Sequence, residues 1–326
     1  MPGSKSELNE NIATDITPKD DAFHGSVKHL AAEWWYFDAI FTNNYSIHIG
    51  CRTFSKKKFG TVMPFLEFYK DGKPVFEGKN RFRFKHFQKS KDTPLVKIFN
   101  SKIIEFDQER YKKTGEWAYK VTLKMGENAA DLTYVGTIKG WKIESDAESW
   151  TVALPKAKVS GHILVNGKKI DVEGIGYHDH NWNYTLLTAI NYGKAWYWGK
   201  IKSDNYNLVW ANIVKSSSNS MRVGIVNQGN DKYYNINPER IKFKTDKPEK
   251  VQGKKTPTIF TVEIDDVVNN IPINVNLKME AYEIQYGRVL MVPYWRYHVK
   301  TSGEISVDNK KEKVDNIEIM EYLRFS

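Results

Sequence analysis

Two short segments concentrate the residue types that could carry out chemistry. The first runs from Glu33 to Asp38 and places one acid at each end of four consecutive aromatic residues. A carboxyl group beside large rings loses hydration, which raises its pKa and suits it to donate a proton near neutral pH. In the alternative interpretation, both acids accept hydrogen bonds and only hold the fold together. Because alternate residues of a strand share a face, the run divides into two sets: Glu33, Trp35 and Phe37 on one face, and Trp34, Tyr36 and Asp38 on the other.

The second segment, Gly174 to Asn183, contains two histidines and an aspartate. If the segment is extended, His178 and His180 share one face. A His-x-His pair can bind a metal, but such a site needs at least a third protein ligand. Glu33 or His298 could supply it, although nothing in the spacing identifies either. A polar pocket wall and plain structural hydrogen bonding remain open beside the metal site. The opposite face would carry Tyr177, Asp179 and Asn181, and Trp182 follows the histidines.

A third segment, Tyr294 to His298, has the pattern of a strand with a buried aromatic face formed by Trp295 and Tyr297. It could also line a ligand cavity. The familiar catalytic templates are missing, because the sequence has no Gly-x-Ser-x-Gly elbow, phosphate-binding loop or dinucleotide-binding glycine motif. Cys51 lies among apolar neighbours in a predicted strand, so we do not expect it to act as a nucleophile.

Short strand patterns separated by turn residues must position these segments. No long helical period is present, so the sequence predicts an all-β protein built as sandwiches or barrels. The Asn166-Gly167 pair predicts a tight hairpin, because both residues accept the positive φ of a type I′ turn. At this length we expect two units. The predicted organisation is a loose tail over 1–27, an N-terminal β domain over 28–180 and a C-terminal β domain over 181–326.

The composition narrows the function classes. Of the 326 residues, 40% are hydrophobic and 13% are aromatic, which suits a β-rich core or a ring-lined pocket for an apolar ligand. The net charge of +10 permits peripheral contact with an anionic membrane, but no nucleic-acid-binding signature accompanies it. The lysine-rich segments 56–58, 247–255 and 310–313 are predicted to be turns or loops. The single cysteine and the polar N-terminus favour a cytoplasmic location, which includes a membrane-peripheral one.

The first two segments together resemble the carotenoid 1,2-hydratase (hydroxyneurosporene synthase) and AttH-like family. The Glu33-Trp34-Trp35-Tyr36 and Tyr177-His178-Asp179-His180-Asn181-Trp182 blocks match that family in kind, order and separation, and the C-terminal Glu321–Phe325 adds weaker support. The resemblance covers roughly residues 28–326. It implies two lipocalin-like β-barrel or sandwich domains, a hydrophobic isoprenoid or lipid substrate, and no metal or other cofactor.

The resemblance also implies an activity, the hydration of an isolated trisubstituted double bond in a carotenoid precursor or a geranylgeranyl-type ether lipid. Other members of the family are cofactor-free cyclases or pericyclases, and a lipocalin-type binder without catalysis is the further alternative. The hydratases carry an aromatic-x-Asp pair whose aspartate is the acid. The best match here is Trp210-Ala211-Asn212, which replaces that aspartate with asparagine.

Another carboxyl would then have to donate the proton to the alkene, with Asp179 as the first choice. The predicted catalytic residues are Asp179, His180, Trp182, His178, Asp38 and Glu33. The predicted substrate-binding residues are Trp34, Trp35, Tyr36, Tyr177, Asn181, Trp210, Asn212, Trp295 and Tyr297. In this scheme His180 holds the attacking water, and the faces of Trp182 and of Trp34 or Trp35 stabilise the cation.

Overall fold

A computed structural model describes residues 12–27, 29–144, 148–185, 187–188, 192–216, 218–289 and 292–325 of the chain. Strands dominate these ranges, which confirms the predicted all-β class. One short α-helix, α1 (Gln108–Thr114), interrupts them, with Asp107 as its N-cap and Gly115 ending it in the left-handed region. The strands are β1 (Ala31–Phe41), β2 (Tyr45–Lys56), β3 (Phe59–Lys70), β4 (Lys73–Lys79), β5 (Phe82–Arg83), β6 (Phe87–Lys89), β7 (Leu95–Ile98), β8 (Ser101–Phe106), β9 (Ala118–Met125), β10 (Asn128–Gly136), β11 (Trp141–Glu144), β12 (Ser149–Val165), β13 (Lys168–Tyr184), β14 (Ala195–Lys202), β15 (Tyr206–Val214), β16 (Ser220–Gln228), β17 (Lys232–Asn235), β18 (Ile241–Val251), β19 (Lys254–Val268), β20 (Ile271–Val289), β21 (Val292–Val307) and β22 (Lys310–Arg324).

The strands form two sheets in the described part of the chain. The first sheet has the order β4-β3-β2-β1-β13-β12-β10-β9-β8-β7-β6, with β11 added beside β12 and β5 beside β3. The second has the order β17-β16-β15-β14-β22-β21-β20-β19-β18. In the first sheet β1 lies beside β13, so two segments far apart in sequence become neighbours. This pairing brings together the two motifs that the sequence singled out.

The described residues divide into two compact units. The first comprises Met1–Ala39, Ile47–Glu67 and Phe76–Thr188, and the second comprises Ile40–Ser46, Phe68–Val75 and Ala189–Ser326. The sequence predicted one break after residue 180 instead. In the structure β13 runs unbroken from the Asn166-Gly167 turn to Tyr184, and both turn residues have positive φ, as the hairpin requires.

Residues 12–27, which the sequence placed in a loose tail, pack against the first unit. Pro18–Asp21 forms a turn of 3₁₀-helix, and Thr14 makes an isolated bridge with Lys142 of β11. Asp21, Ala22 and Phe23 are buried. This segment is ordered against the sheet because its buried carboxylate and aromatic ring have partners there. The composition of the segment alone does not reveal those partners.

Two lysine-rich segments also differ from their prediction as loops. Residues 247–251 lie in β18, residues 254–255 begin β19, and 310–313 begin β22. Their lysine side chains are mostly exposed, because they alternate along strands that border tight turns. No helix among the described residues is long and apolar enough to cross a membrane.

Candidate functional site

The two faces of the β1–β13 pair carry different chemistry. The aspartate face is defined by Tyr36, Asp38, Tyr177 and Asp179, and the histidine face by Glu33, Trp35, Phe37, His178 and His180. Strand alternation produces this separation, as the sequence predicted. Ring contacts support it, because Trp35 stacks on His180 at 4.4 Å and Phe37 stacks on His178 at 3.7 Å between ring centroids. All nine side chains are buried.

On the aspartate face, each aspartate accepts a hydrogen bond from a neighbouring tyrosine. The Tyr36 hydroxyl donates to Asp38 Oδ2 at 2.9 Å, and the Tyr177 hydroxyl donates to Asp179 Oδ2 at 2.8 Å. Trp150 of β12 adds its indole N–H to the same Asp179 oxygen at 2.9 Å. The rings of the two tyrosines meet edge to face at 6.1 Å. Because hydrogen bonds to a carboxylate favour its charged form, these donors suit Asp179 to be an anion.

A carboxyl that the sequence analysis missed lies beside Asp179. Glu148 comes directly before β12 and two residues before Trp150, so it falls on the aspartate face. Burial, followed by the neighbouring charge of Asp179, raises the pKa of Glu148 well above its usual range. The face therefore places a carboxyl group with a raised pKa next to a carboxyl group that accepts two hydrogen bonds. No motif marks Glu148 in the sequence, and its strand partner on β13 could not be inferred from local pattern.

An aromatic wall continues past Glu148. Trp34 meets Tyr184 edge to face at 5.6 Å, and Asn181 is buried further along β13. Asn183 has a φ of 65°, which interrupts the alternation of β13 and brings Tyr184 to this side of the sheet. The charge of Glu148 contributes, after burial, to raising the pKa of the Tyr184 hydroxyl, which places that acid near these rings.

The aspartate face extends onto β2 and β3 through a second pair that sequence reasoning missed. His48 Nδ1 and Glu67 Oε2 are 2.8 Å apart, and both side chains are buried. The His48 ring lies 4.8 Å from the ring of Tyr36. An imidazole held by a carboxylate is a common proton acceptor in catalytic sites. His48 lies on β2 and Glu67 on the neighbouring β3, so the pair depends on how these two strands are aligned, which no local motif in the sequence marks.

The histidine face is closed by the N-terminal segment. Asp21 Oδ2 lies 3.0 Å from His178 Nε2 and accepts a hydrogen bond from the Tyr119 hydroxyl at 2.7 Å. Glu33 accepts the backbone N–H groups of His24 and Gly25, each at 2.8 Å, and its Oε1 lies 3.0 Å from His180 Nε2. His180 Nδ1 is 3.4 Å from Asp21 Oδ1.

This arrangement sets the charges of the face. Burial alone would raise the pKa of Glu33, but His180 and the His24 backbone lower it to about 2. Burial alone would lower the pKa of His180, but the nearby Asp21 carboxylate and the hydrogen bond to Glu33 raise it to about 9. Contacts with His178 and His180 likewise outweigh burial and hold the pKa of Asp21 well below its usual range. Near neutral pH, Glu33 is therefore a carboxylate, whereas the sequence suggested that it could donate a proton. His180 is a cation, whereas it was expected from the sequence to hold the attacking water.

Trp182 also belongs to this closed network. Its ring stacks on His24 at 3.9 Å with the two planes 4° apart. The indole N–H of Trp35 donates to the backbone carbonyl of Asp21 at 3.0 Å. Both tryptophans therefore pack within the histidine face, where they anchor the N-terminal segment.

In the described part of the chain, one group of side chains has donor atoms close enough to bind a metal. His24, Glu33 and His180 each offer a ligand atom, and these atoms lie within 4.8 Å of one another. The sequence suggested His178 and His180 as a metal-binding pair. In the structure His24 takes the place of His178, because His178 Nε2 points to Asp21. The Glu33 oxygen in this group already accepts from a backbone N–H and the protonated His180. A cation would have to displace the His180 proton, so the residues fit an ion pair better than a metal site.

The remaining predicted residues lie in the second unit. Trp210, Trp295 and Tyr297 belong to its buried apolar cluster, in which Trp295 stacks on Tyr322 at 4.8 Å. Asn212 of β15 is buried opposite Tyr197 of β14. All four side chains are buried within the second unit.

A family model and a relative of known name each match part of the chain. A family model described as AttH-like matches residues 104–310. A quinolone epoxide rearrangement protein of Penicillium thymicola is 40% identical over 58 residues, which span 18% of this chain and only 16% of the relative.

Two solved structures share the fold. A putative AttH from Nitrosomonas europaea superposes with a TM-score of 0.67 at 13% identity, covering 99% of this chain and 97% of that chain. Kievitone hydratase from Nectria haematococca superposes with a TM-score of 0.53 at 14% identity, covering 97% of each chain. At these identities the likeness concerns the fold alone.

Proposed function

Because the chain belongs to the AttH-like family, we propose that it is an enzyme that starts its reaction by protonating a carbon–carbon double bond of a hydrophobic substrate. The observation that carries the proposal is the pairing of a neutral acid, Glu148, with the hydrogen-bonded carboxylate of Asp179. Two carboxyl groups whose surroundings drive their pKa values apart supply an acid and a base in one site.

The reaction we propose is hydration. The Glu148 carboxylic acid gives its proton to the less substituted alkene carbon, and the π electrons form the new C–H bond. The resulting tertiary cation is captured by water at the more substituted carbon. Asp179 accepts the proton that this water loses, and proton exchange with Glu148 restores both groups. The sum is alkene plus water giving a tertiary alcohol, and it requires no cofactor.

The aromatic rings around the acid support a cationic intermediate. Trp34, Tyr36 and Tyr177 present π-systems on the aspartate face, and a ring face stabilises a cation by about 0.5–2 kcal/mol. Burial of this face also keeps bulk water from the cation until one water attacks. This scheme moves the proton donor from Asp179 to Glu148 and removes His180 and Trp182 from the reacting centre.

The proposed substrate class is an isoprenoid, either a carotenoid precursor or a geranylgeranyl-type ether lipid, since both contain trisubstituted alkenes. The names of two similar proteins, a hydratase and an epoxide rearrangement protein, are compatible with acid-initiated chemistry on unsaturated compounds. Exposed lysines on the β18–β19 hairpin would suit an anionic membrane surface as a peripheral partner.

The test is incubation of the pure protein with carotenoid-precursor and prenyl-lipid extracts in ¹⁸O-labelled water, followed by mass spectrometry. A product heavier by one labelled water supports hydration. A product of unchanged mass with a new retention time replaces hydration by cyclisation or rearrangement. Tight binding of one isoprenoid without any product refutes catalysis and leaves a lipid carrier.

Site variants then test the acid. Glu148→Gln should lower turnover about 10²–10⁴-fold, which is the usual contribution of a general acid. Glu144→Gln is the matched control, because Glu144 is exposed and forms an ion pair with Lys142. Full activity of the Glu148→Gln protein would exclude Glu148 as the donor. Substrate affinity measured on both variants separates loss of chemistry from loss of binding.

A further inference from the structure

The second unit contains a buried serine–histidine pair that the proposed reaction does not use. Ser46 Oγ and His298 Nε2 are 2.8 Å apart. The two residues are only 3% and 1% exposed. The ring of Tyr69 lies 5.0 Å from the imidazole, and that of Tyr282 lies 6.1 Å away. Small-molecule sites typically combine aromatic side chains with a few polar groups, as these four residues do.

The second nitrogen of the His298 ring, Nδ1, supplies the evidence for a bound ligand. His298 Nδ1 is buried and has no hydrogen-bond partner among the described residues. A buried polar group without a partner is unfavourable, so this nitrogen is a favourable place for a ligand atom to bind. His298 and Arg296 are two residues apart on β21 and therefore share a face.

The charges around the imidazole decide what it can do. Burial, then the positive charges of Arg296 and Lys200, lower the pKa of His298 to about 3. Such a weak base cannot activate the Ser46 hydroxyl as a nucleophile near neutral pH. The pair is thus poorly suited to covalent catalysis and well suited to fixed hydrogen bonding.

The Ser46 contact is compatible with either tautomer of His298, because a hydroxyl can donate or accept. Among the described residues, the Ser46 hydroxyl has no hydrogen-bond partner other than His298 Nε2. If the hydroxyl donates to Nε2, then Nδ1 carries the proton of the neutral ring. Arg296 is paired with Glu321 at 2.7 Å, whereas Lys200 adds a second positive charge, and an N–H donor in this field favours an oxygen acceptor with negative charge.

We propose that His298 Nδ1–H, held by Ser46, binds an acceptor oxygen of an amphipathic ligand, with a carboxylate or phenolate favoured over a neutral group. The site binds the polar end of the ligand, and the aromatic side chains of Tyr69 and Tyr282 contact its apolar part. This inference concerns binding by the second unit and stands whether or not the protein hydrates alkenes.

The experiment uses two fluorescent probes that differ in one group, 4-(1-pyrenyl)butyrate and 1-butylpyrene. The full-length protein should bind the carboxylate more tightly than the hydrocarbon. His298→Gln keeps a polar group near Ser46 but removes the Nδ1 donor. We expect this variant to bind the carboxylate about tenfold more weakly, since hydrogen bonds to charged groups contribute about 1.5–3 kcal/mol, and to bind the hydrocarbon unchanged.

His162→Gln provides the matched control, because His162 lies on β12 and belongs to the first unit. Long-range ¹H–¹⁵N spectra give a second readout that needs no ligand. They should show His298 as a neutral ring protonated on Nδ1 in the wild type. Equal affinity of the wild type for both probes, equal losses for both probes in His298→Gln, or a proton on Nε2 would each overturn the proposal.

Discussion

Replacing Asp21 by asparagine should destabilise the first unit far more than its place near the N-terminus suggests. Asp21 contacts His178, His180 and the Tyr119 hydroxyl, all at buried positions. Removing one partner of a buried charged pair typically costs about 3–5 kcal/mol, because the other charge stays buried without compensation. Asparagine keeps one acceptor oxygen, so we expect about 3 kcal/mol, a large part of the total stability of an ordinary domain.

The cost should depend on pH in a defined direction. The folded-state pKa of His180, about 9, lies above its usual value of 6.5. Its ion-pair contribution is therefore complete below about pH 6.5 and is lost as the pH rises through about 9. Glu33 behaves in the opposite sense, because its folded pKa of about 2 lies below the usual 4.5, so its contribution exists above that value and disappears as the pH falls through about 2. The destabilisation by Asp21→Asn should therefore be larger at pH 7 than at about pH 10.

Urea unfolding followed by tryptophan fluorescence measures this difference. Asp15→Asn is the control, since it makes the same substitution in the same segment at an exposed ion pair with Lys139. Exposed pairs contribute about 0–1 kcal/mol, so the control should change the midpoint little. If Asp21→Asn costs no more than Asp15→Asn, or costs equally at both pH values, the buried network does not stabilise the fold as described.

Two other changes test the packing of the first unit. Gly50→Ala should cost more than about 2 kcal/mol of folding stability or prevent folding, because a β-carbon there would lie 2.1 Å from the Trp35 carbonyl oxygen. Gly126→Ala meets nothing within 4 Å and should cost about 1 kcal/mol through its positive φ alone. Thermal unfolding compares the two variants, and similar losses of stability would contradict the packing. Burial raises the pKa of the Cys51 thiol, so it should resist a disulfide reagent in native buffer and react fully in urea, and rapid labelling of the folded protein would show that this strand is open.

The local patterns of the sequence predicted the strands and their faces well. Alternation in the Glu33–Asp38 run placed Trp35 and Tyr36 on opposite faces, and the Asn-Gly pair predicted the β12–β13 turn. Both signals depend on neighbours within a few residues, which the sequence displays directly.

The charge states could not be predicted in the same way. The aromatic neighbours of Glu33 suggested a raised pKa, but the partners that lower it, His24, Gly25 and His180, come from a preceding segment and from a distant strand. Glu148 shows the converse, since its pKa depends on Asp179 across the sheet. A carboxyl group's strand neighbours are visible in sequence, whereas its hydrogen-bond partners depend on strand order.

The pairing of β1 with β13 also constrains when the chain can fold during synthesis. The Tyr36 carbonyl bonds His178, 142 residues later, and Asp21 bonds His178 across 157 residues. The second sheet has the same design, because its first strand, β14, pairs with its last, β22. Contacts so distant in sequence slow folding, since a long loop must close before they form. The aromatic strand β1 therefore emerges from the ribosome long before its partner, and until β13 follows, this nascent strand is a natural substrate for chaperones.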